Sequence, residues 1–350
     1  MLYGFSKEAP LEIGIYTLAD HLPNPHTGDR ISAQERIREI IDLAKLADQV
    51  GLDFFGVGES HQTYFVGQAH AIILSAIAEA TEKIKIGSAA SIVSTTDPVR
   101  LYEDFATIDL ISGGRAEIIA GRASRLGLFD LLGYKTDDYE GLYEERFALL
   151  NEINDNQVVN WEGDYRAPLE NAVILPRPKN GKLPIWRAVG GHVSSAEKAG
   201  RAGVPLYLAH LGGTTESYVK LFDAYREAAE DAGYDPDELP TATGGIFYLG
   251  KDNKAAMKEA YPYVNNGMMM SNGAGFPKSA FAKAESLDTA INVGEVNFVI
   301  DKILDQHEHF GNQRYSAQLD FGGVPFKRQM EMVEIIGEKI IPAVKEATGA

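Results

Sequence analysis

Three short stretches carry the residues best suited to chemistry. Glu59-Ser60-His61 sets a carboxylate, a hydroxyl and an imidazole side by side after the apolar run Phe54-Phe55-Gly56-Val57-Gly58. At the end of a buried strand these groups suit general acid–base work. In the simpler reading Glu59 pairs with a nearby cation and His61 is a loop residue. Arg122 directly follows the apolar run 116–120 and sits among the small residues Gly121, Ala123 and Ser124. A guanidinium and a hydroxyl, with glycine and alanine leaving room, suit a flat anionic ligand such as a phosphorylated cofactor. The plainer role is an ion pair, as expected for Arg100, Arg115 and Arg125. Gly190-Gly191-His192-Val193-Ser194-Ser195 leads from another apolar run into a helical pattern. Free N–H groups at a helix start, with serine hydroxyls beside them, make an anion seat. Ser194 equally fits the N-cap.

These stretches share one kind of position, the exit of a short apolar run. Such runs fall at 11–16, 54–57, 84–89, 116–120, 185–189, 206–209, 243–249 and 315–321. Helical patterns follow at 33–50, 68–81, 99–110, 139–151, 194–202, 215–232, from 253 to 261 and irregularly beyond, and 326–347. Within 33–50, Ile37, Ile40, Ile41, Ala44 and Ala47 recur at helical spacing with charges between them. Pro98 opens a helix where a missing N–H costs nothing, and Gly113-Gly114 closes it. Eight strand–helix pairs predict an α/β fold, a closed (β/α)8 TIM barrel with insertions, over residues 1–350 as one domain. Ligand sites on such a barrel lie outside the carboxyl ends of its strands. Two regions exceed what a barrel needs: 154–183, read as a hairpin and loop, and the glycine-rich 265–293, read as a lid. A further helix, 295–310, leads into the eighth strand.

The totals exclude several classes. Of 350 residues, 33 are Lys or Arg and 50 are Asp or Glu, a net charge of −17 with no basic patch, so a nucleic-acid partner is not expected. No cysteine is present, which removes disulfides, thiolate catalysis and cysteine metal sites. The first residues show no signal-peptide pattern and no apolar stretch reaches the roughly 20 residues that cross a bilayer. A soluble cytoplasmic protein with no membrane contact is expected. The phosphate loop G-x-x-x-x-G-K-[ST], the third glycine of a dinucleotide fingerprint and the G-x-S-x-G elbow are all missing. His307 and His309 lie on different helix faces, so no metal site is expected. A hydrolase would need two carboxylates at strand ends, and only Glu59 and Asp320 could be nominated.

The segments GLDFFGVGESH (51–61), ATEKIKIGSAA (80–90), DPVRLYEDFATIDLISGGRAEIIAGR (97–122) and PIWRAVGG (184–191) resemble, in order, the bacterial luciferase-like flavin-dependent monooxygenases. The resemblance implies a barrel that binds FMN, or in some branches the deazaflavin F420, at its C-terminal mouth. It places Arg122 at the flavin-phosphate arginine, with Ser124 two residues on. Gly190, Gly191, His192 and Ser195 fall in the loop and helix start that cradle the phosphate, and Tyr139 is within reach of the phosphate or ribityl chain. Ala89-Ala90 falls on a strand bulge beneath the flavin ring, where the family often has a non-prolyl cis peptide. The luciferases follow the glutamate of the second strand with two histidines, the first a catalytic base. Here Ser60 replaces that histidine, which argues against light emission from a long-chain aldehyde and leaves Glu59 and His61 as the catalytic candidates.

The expectation is therefore an oxidoreductase that takes reduced FMN from a separate reductase and uses O2 to oxygenate a small organic substrate. It is expected to act as a homodimer joined through the early helices. An F420-dependent oxidoreductase on the same barrel, or a non-catalytic flavin-binding protein, are the alternatives.

Overall fold

The computed structural model describes residue 5, residues 9–123 and residues 127–349. Eight parallel strands form the barrel: β1 (Glu12–Thr17), β2 (Phe54–Val57), β3 (Lys85–Ser88), β4 (Ala116–Gly121), β5 (Ile185–Val189), β6 (Leu206–Ala209), β7 (Thr241–Leu249) and β8 (Arg314–Gln318). Each pairs with the next, and β8 pairs back onto β1 with Glu12 opposite Arg314, so the sheet closes. Closure leaves every strand buried on both faces, which is why they read as continuous apolar runs. Ile13, Ile15, Phe55, Ile86, Ile118 and Leu208 point outward into the layer beneath the helices. Phe54, Ile119, Trp186, Tyr207 and Ala242 fill the interior.

The helices around the barrel are α1 (Ala33–Gln49), α2 (His70–Ala80), α3 (Pro98–Ser112), α4 (Tyr139–Asp155), α5 (Val193–Arg201), α6 (Thr215–Asp231), α7 (Asn253–Asn272) and α8 (Phe326–Ile335). Their ends are set by local chemistry. Ser32 and Glu35 form a capping box at the start of α1. Asp97 accepts from the amides of Val99 and Arg100, Pro98 takes the first turn of α3, and Gly113 ends it at φ 74°. Among the described residues no helix is long and apolar enough to cross a membrane.

Three expectations about elements need correction. The third strand ends one residue early, at Ser88; Ala89–Ala90 then forms the cis peptide that the resemblance implied, and Ser91–Ile92 pairs separately with Ala120 and Gly121. The expected lid is structured at both ends. α7 continues through Pro262 to Asn272, while Asn292–Gly294 adds a strand to β7. Packing carries α7 past its proline. A Cβ at Gly322 would lie 1.8 Å from the Tyr263 carbonyl oxygen and one at Gly267 2.8 Å from Phe321, so glycines let this helix press onto the loop after β8. The last helix continues from α8 through a π-helical turn at Ile336–Ile340 into Ile341–Thr348, which takes up Pro342. The insertion after α4 does contain a hairpin, Val158–Trp161 against Leu169–Val173.

Candidate active site

The bulge at Ala89-Ala90, directly after β3, shapes the mouth. A Cβ at Gly56 would meet the Ala89 methyl at 2.7 Å, one at Gly58 the Ala89 carbonyl oxygen at 2.6 Å, and one at Gly121 the Ala90 methyl at 2.7 Å. Three glycines on the flanking strands thus make room for Ala89-Ala90 to turn inward. The need for glycine at 56 and 58 arises from a segment some 30 positions away in the chain.

Glu59 fastens this bulge. Its amide donates to the Ala90 carbonyl at 2.9 Å, and its Oε2 accepts from the Ile92 amide at 2.7 Å. Its Oε1 lies 2.8 Å from His61 Nε2. His70, not anticipated, stands 3.9 Å from Glu59 through Nδ1 and 2.7 Å from the Ser91 hydroxyl through Nε2. Burial pushes the His70 imidazole down despite the attraction of Glu59, and its contacts to Ser91 and Glu59 make it a strut beneath the bulge. Ser60 is buried and donates to Gln62 Oε1 at 2.9 Å. Glu59, Ser60, Ala90 and Arg122 line one cleft together with Leu18, Gln62, Ile92 and Leu128. Two of the three stretches therefore meet, and His61 reaches this cleft through Glu59.

The third stretch joins them at Arg122. The guanidinium leaves β4 and places Nη2 3.5 Å from Ser195 Oγ, in the first turn of α5. Nη1 donates to Glu140 Oε1 at 2.8 Å, the ring of Tyr143 lies 4.7 Å beneath, and Nε is buried without a partner among the described residues. The cap position of α5 is His192, with no side-chain cap bond. Ser194 is therefore not the N-cap: it lies inside the first turn. Gly190, Gly191 and His192 are exposed, and Gly191 takes φ 99°, which favours glycine. The Tyr139 hydroxyl donates to the Ala123 carbonyl at 3.0 Å, and its ring packs 5.7 Å from Phe129. Ser124 and Arg125 lie outside the described residues. Arg100 forms the expected ion pair with Glu103, whereas Arg115 is structural in another way, binding the carbonyls of Ala78, Thr81, Ile84 and Ser112.

Four charged neighbours of Arg122 escaped sequence inspection. Arg187, buried on β5, grips Glu144 with two bonds of 2.6 and 3.0 Å, and Lys198 reaches Glu144 at 3.0 Å and Glu140 at 3.5 Å. Burial pushes Glu144 up, but the bonds and charges of Arg187 and Lys198 outweigh it and hold the carboxyl below its usual range.

Asp320, the other nominated strand-end carboxylate, is held by Thr17 and at 2.6 Å by Arg36. It opens on a different cleft from Glu59, between the loops after β1 and β8. The two do not form an acid–base pair across one site. His210, at the exit of β6, packs its ring against Tyr218 and Phe310 and is pushed down to about 3 by burial. Among the described residues no cluster of three His, Cys, Asp or Glu could hold a metal.

Comparison with known proteins decides the family: the profile of the luciferase-like monooxygenases matches residues 11–318. The chain belongs to the luciferase-like monooxygenase family. Within it, the chain is 29% identical over 216 residues to an F420-dependent glucose-6-phosphate dehydrogenase of Tsukamurella paurometabola, covering 58% of this chain and 62% of that one. Among solved folds, monooxygenase RslO1 from Streptomyces bottropensis superposes with a TM-score of 0.80 at 24% identity, covering 95% of this chain and 99% of that one. The oxygenating constituent of 3,6-diketocamphane monooxygenase from Pseudomonas putida, in complex with FMN, follows at 0.77 and 18%, covering 95% and 98%. At these identities the two structures establish the shared barrel. The family assignment makes the chain an oxidoreductase of luciferase-like type, with FMN and F420 enzymes both among its relatives.

Proposed function

We propose that the protein is an FMN-dependent monooxygenase of the two-component kind, supplied with reduced FMN by a separate reductase and acting on a small organic substrate. The observation that carries this reading is the meeting of Arg122 with Ser195 at the uncapped start of α5, while Arg122 also lines the cleft of Glu59 and Ala90. A dianion fits there, because a buried guanidinium nitrogen lacks a partner and the helix start has no side-chain cap. When bound, reduced FMN would supply two electrons to O2, one oxygen atom passing to the substrate and the other leaving as water. The chain's own residues do the rest. Arg122, Ser195 and the α5 amides would hold the phosphate, and Ala89-Ala90 would lie against the ring. Glu59 keeps that segment in place through the Ala90 carbonyl and the Ile92 amide. His61 holds a proton against Glu59 Oε1 and moves it to or from the reacting groups.

Titration of the purified protein with FMN and with F420 separates the nearest readings, and tighter binding of F420 would replace this one. A non-catalytic flavin carrier would bind FMN and show no substrate-dependent oxygen uptake when given NADH and a flavin reductase. His61→Ala is expected to keep FMN affinity within about twofold. It should lower substrate-dependent oxygen uptake by about 10²- to 10⁴-fold, the usual contribution of a positioned acid–base group. Equal rates would reduce His61 to scaffolding.

Association into homodimers is part of the same proposal. Ile72 on α2 is 73% exposed, and Leu110 and Ile111 on α3 are also exposed. The furrow between these helices is lined by Ala71, Ile72, Ala76 and Ile108. Burying one such isoleucine is worth about 1.5–3 kcal/mol. Ile72→Lys is expected to convert a dimer to a monomer in light scattering. A monomeric wild type would remove the idea.

A further inference from the structure

The phosphate seat already holds an anion of the protein's own. We propose that Glu140 is a tethered competitor: its carboxylate occupies the seat on Arg122 in the free protein and must leave when a phosphorylated cofactor enters, so that Glu140 sets cofactor affinity and selectivity for phosphate. This inference rests on the FMN reading above.

The geometry separates Glu140 from its neighbour Glu144. Glu144 is pinned by two bonds from the buried Arg187 and a third from Lys198, at 2.6, 3.0 and 3.0 Å. Glu140 is 56% exposed, bonded to Arg122 at 2.8 Å, with Lys198 at the 3.5 Å limit. It sits in the first turn of α4, where the helix dipole stabilises a carboxylate even when it swings into solvent. Among the described residues Arg122 in turn has one short bond, the one to Glu140: its contact with Ser195 is 3.5 Å, and its Nε has no partner. Glu140 holds Nη1 while Ser195 faces Nη2, so a phosphate that engages both terminal nitrogens beside Ser195 takes the Nη1 bond this carboxylate now holds.

Charge balance makes the same point. Arg122, Arg187 and Lys198 face Glu140 and Glu144, an excess of one positive charge. Release of Glu140 raises the excess to two, which matches the dianion of a phosphate monoester. A ligand without phosphate has no reason to displace it. The competition is moderate, since a half-exposed ion pair is weak and the remaining repulsion is screened by solvent.

The test is a fluorescence titration of wild type and Glu140→Gln with FMN and with riboflavin at about 50 mM salt. FMN is expected to bind Glu140→Gln about three- to fivefold more tightly, with riboflavin unchanged within about twofold. FMN affinity that is unchanged or weaker, or a gain shared equally by riboflavin, overturns the proposal. Glu140→Ala, with thermal midpoints of all three proteins, separates a folding defect from a binding effect and must give the same order. Should neither protein bind FMN, the flavin reading fails by itself. The competitor role is then decided by calorimetry with inorganic phosphate, where Glu140→Gln must again bind more tightly, and equal or absent binding overturns it.

Discussion

Arg314→Met is expected to destabilise the barrel by about 3–5 kcal/mol, read as a lower urea midpoint. Arg314 is fully buried inside the barrel. It holds Glu117 through bonds of 2.8 and 3.0 Å and Glu12 through one of 2.9 Å, between the faces of Phe54 and Trp186 at 4.4 and 5.2 Å. Trp186 Nε1 also donates to Glu117, at 2.9 Å. Methionine fills the volume and removes the charge, leaving the buried carboxylate of Glu117 without its counterion.

The pH dependence gives the signature. In the wild type, burial pushes Glu117 up, but the charge and bonds of Arg314, with help from Lys85 and Trp186, outweigh it and hold the carboxyl low. A depressed folded value contributes stability above the unfolded carboxylate range, and that contribution is lost as pH falls through the folded value. Without Arg314 the sign reverses. Burial then dominates, the folded value rises above the unfolded one, and the penalty at neutral pH is relieved as Glu117 takes up a proton. The gap in urea midpoint between variant and wild type should therefore narrow from pH 8 to pH 5. A constant gap, or no added recovery in the Arg314→Met, Glu117→Gln double variant, would show that the ion pair is not the cause.

Arg122→Ala should weaken FMN binding by about 1.5–3 kcal/mol, roughly 10- to 150-fold, the scale of a charge-assisted hydrogen bond. Riboflavin affinity should change little, because the lost contact is with phosphate. Arg122→Lys keeps the charge without the planar fork and should fall between the two. Thermal stability should move little, since Arg122 is partly exposed and its main partner, Glu140, is half in solvent. FMN affinity equal to wild type in a fluorescence titration would take Arg122 out of the site and the phosphate reading with it.

Much of the frame was legible from the chain alone. Strand and helix periods, Pro98 at a helix start, Gly113 at its end and the order of eight βα pairs are local properties, decided within about four residues by backbone sterics and by which face must be buried. They also put Glu59, Arg122 and Ser195 at the exits of strands, which on a closed barrel means one rim. What tertiary structure decided depends on contacts between distant positions. The glycines at 56, 58 and 121 have meaning only once Ala89-Ala90 turns toward them. α7 passes Pro262 because Gly322 and Gly267 let it pack, an energy no local window contains. The same holds for Arg314 with Glu117, 197 positions apart, and for the two glutamates of α4 that share the cations of β4, β5 and α5. A period records which way a side chain faces; closure of the sheet and the stagger of its strands determine what it meets there.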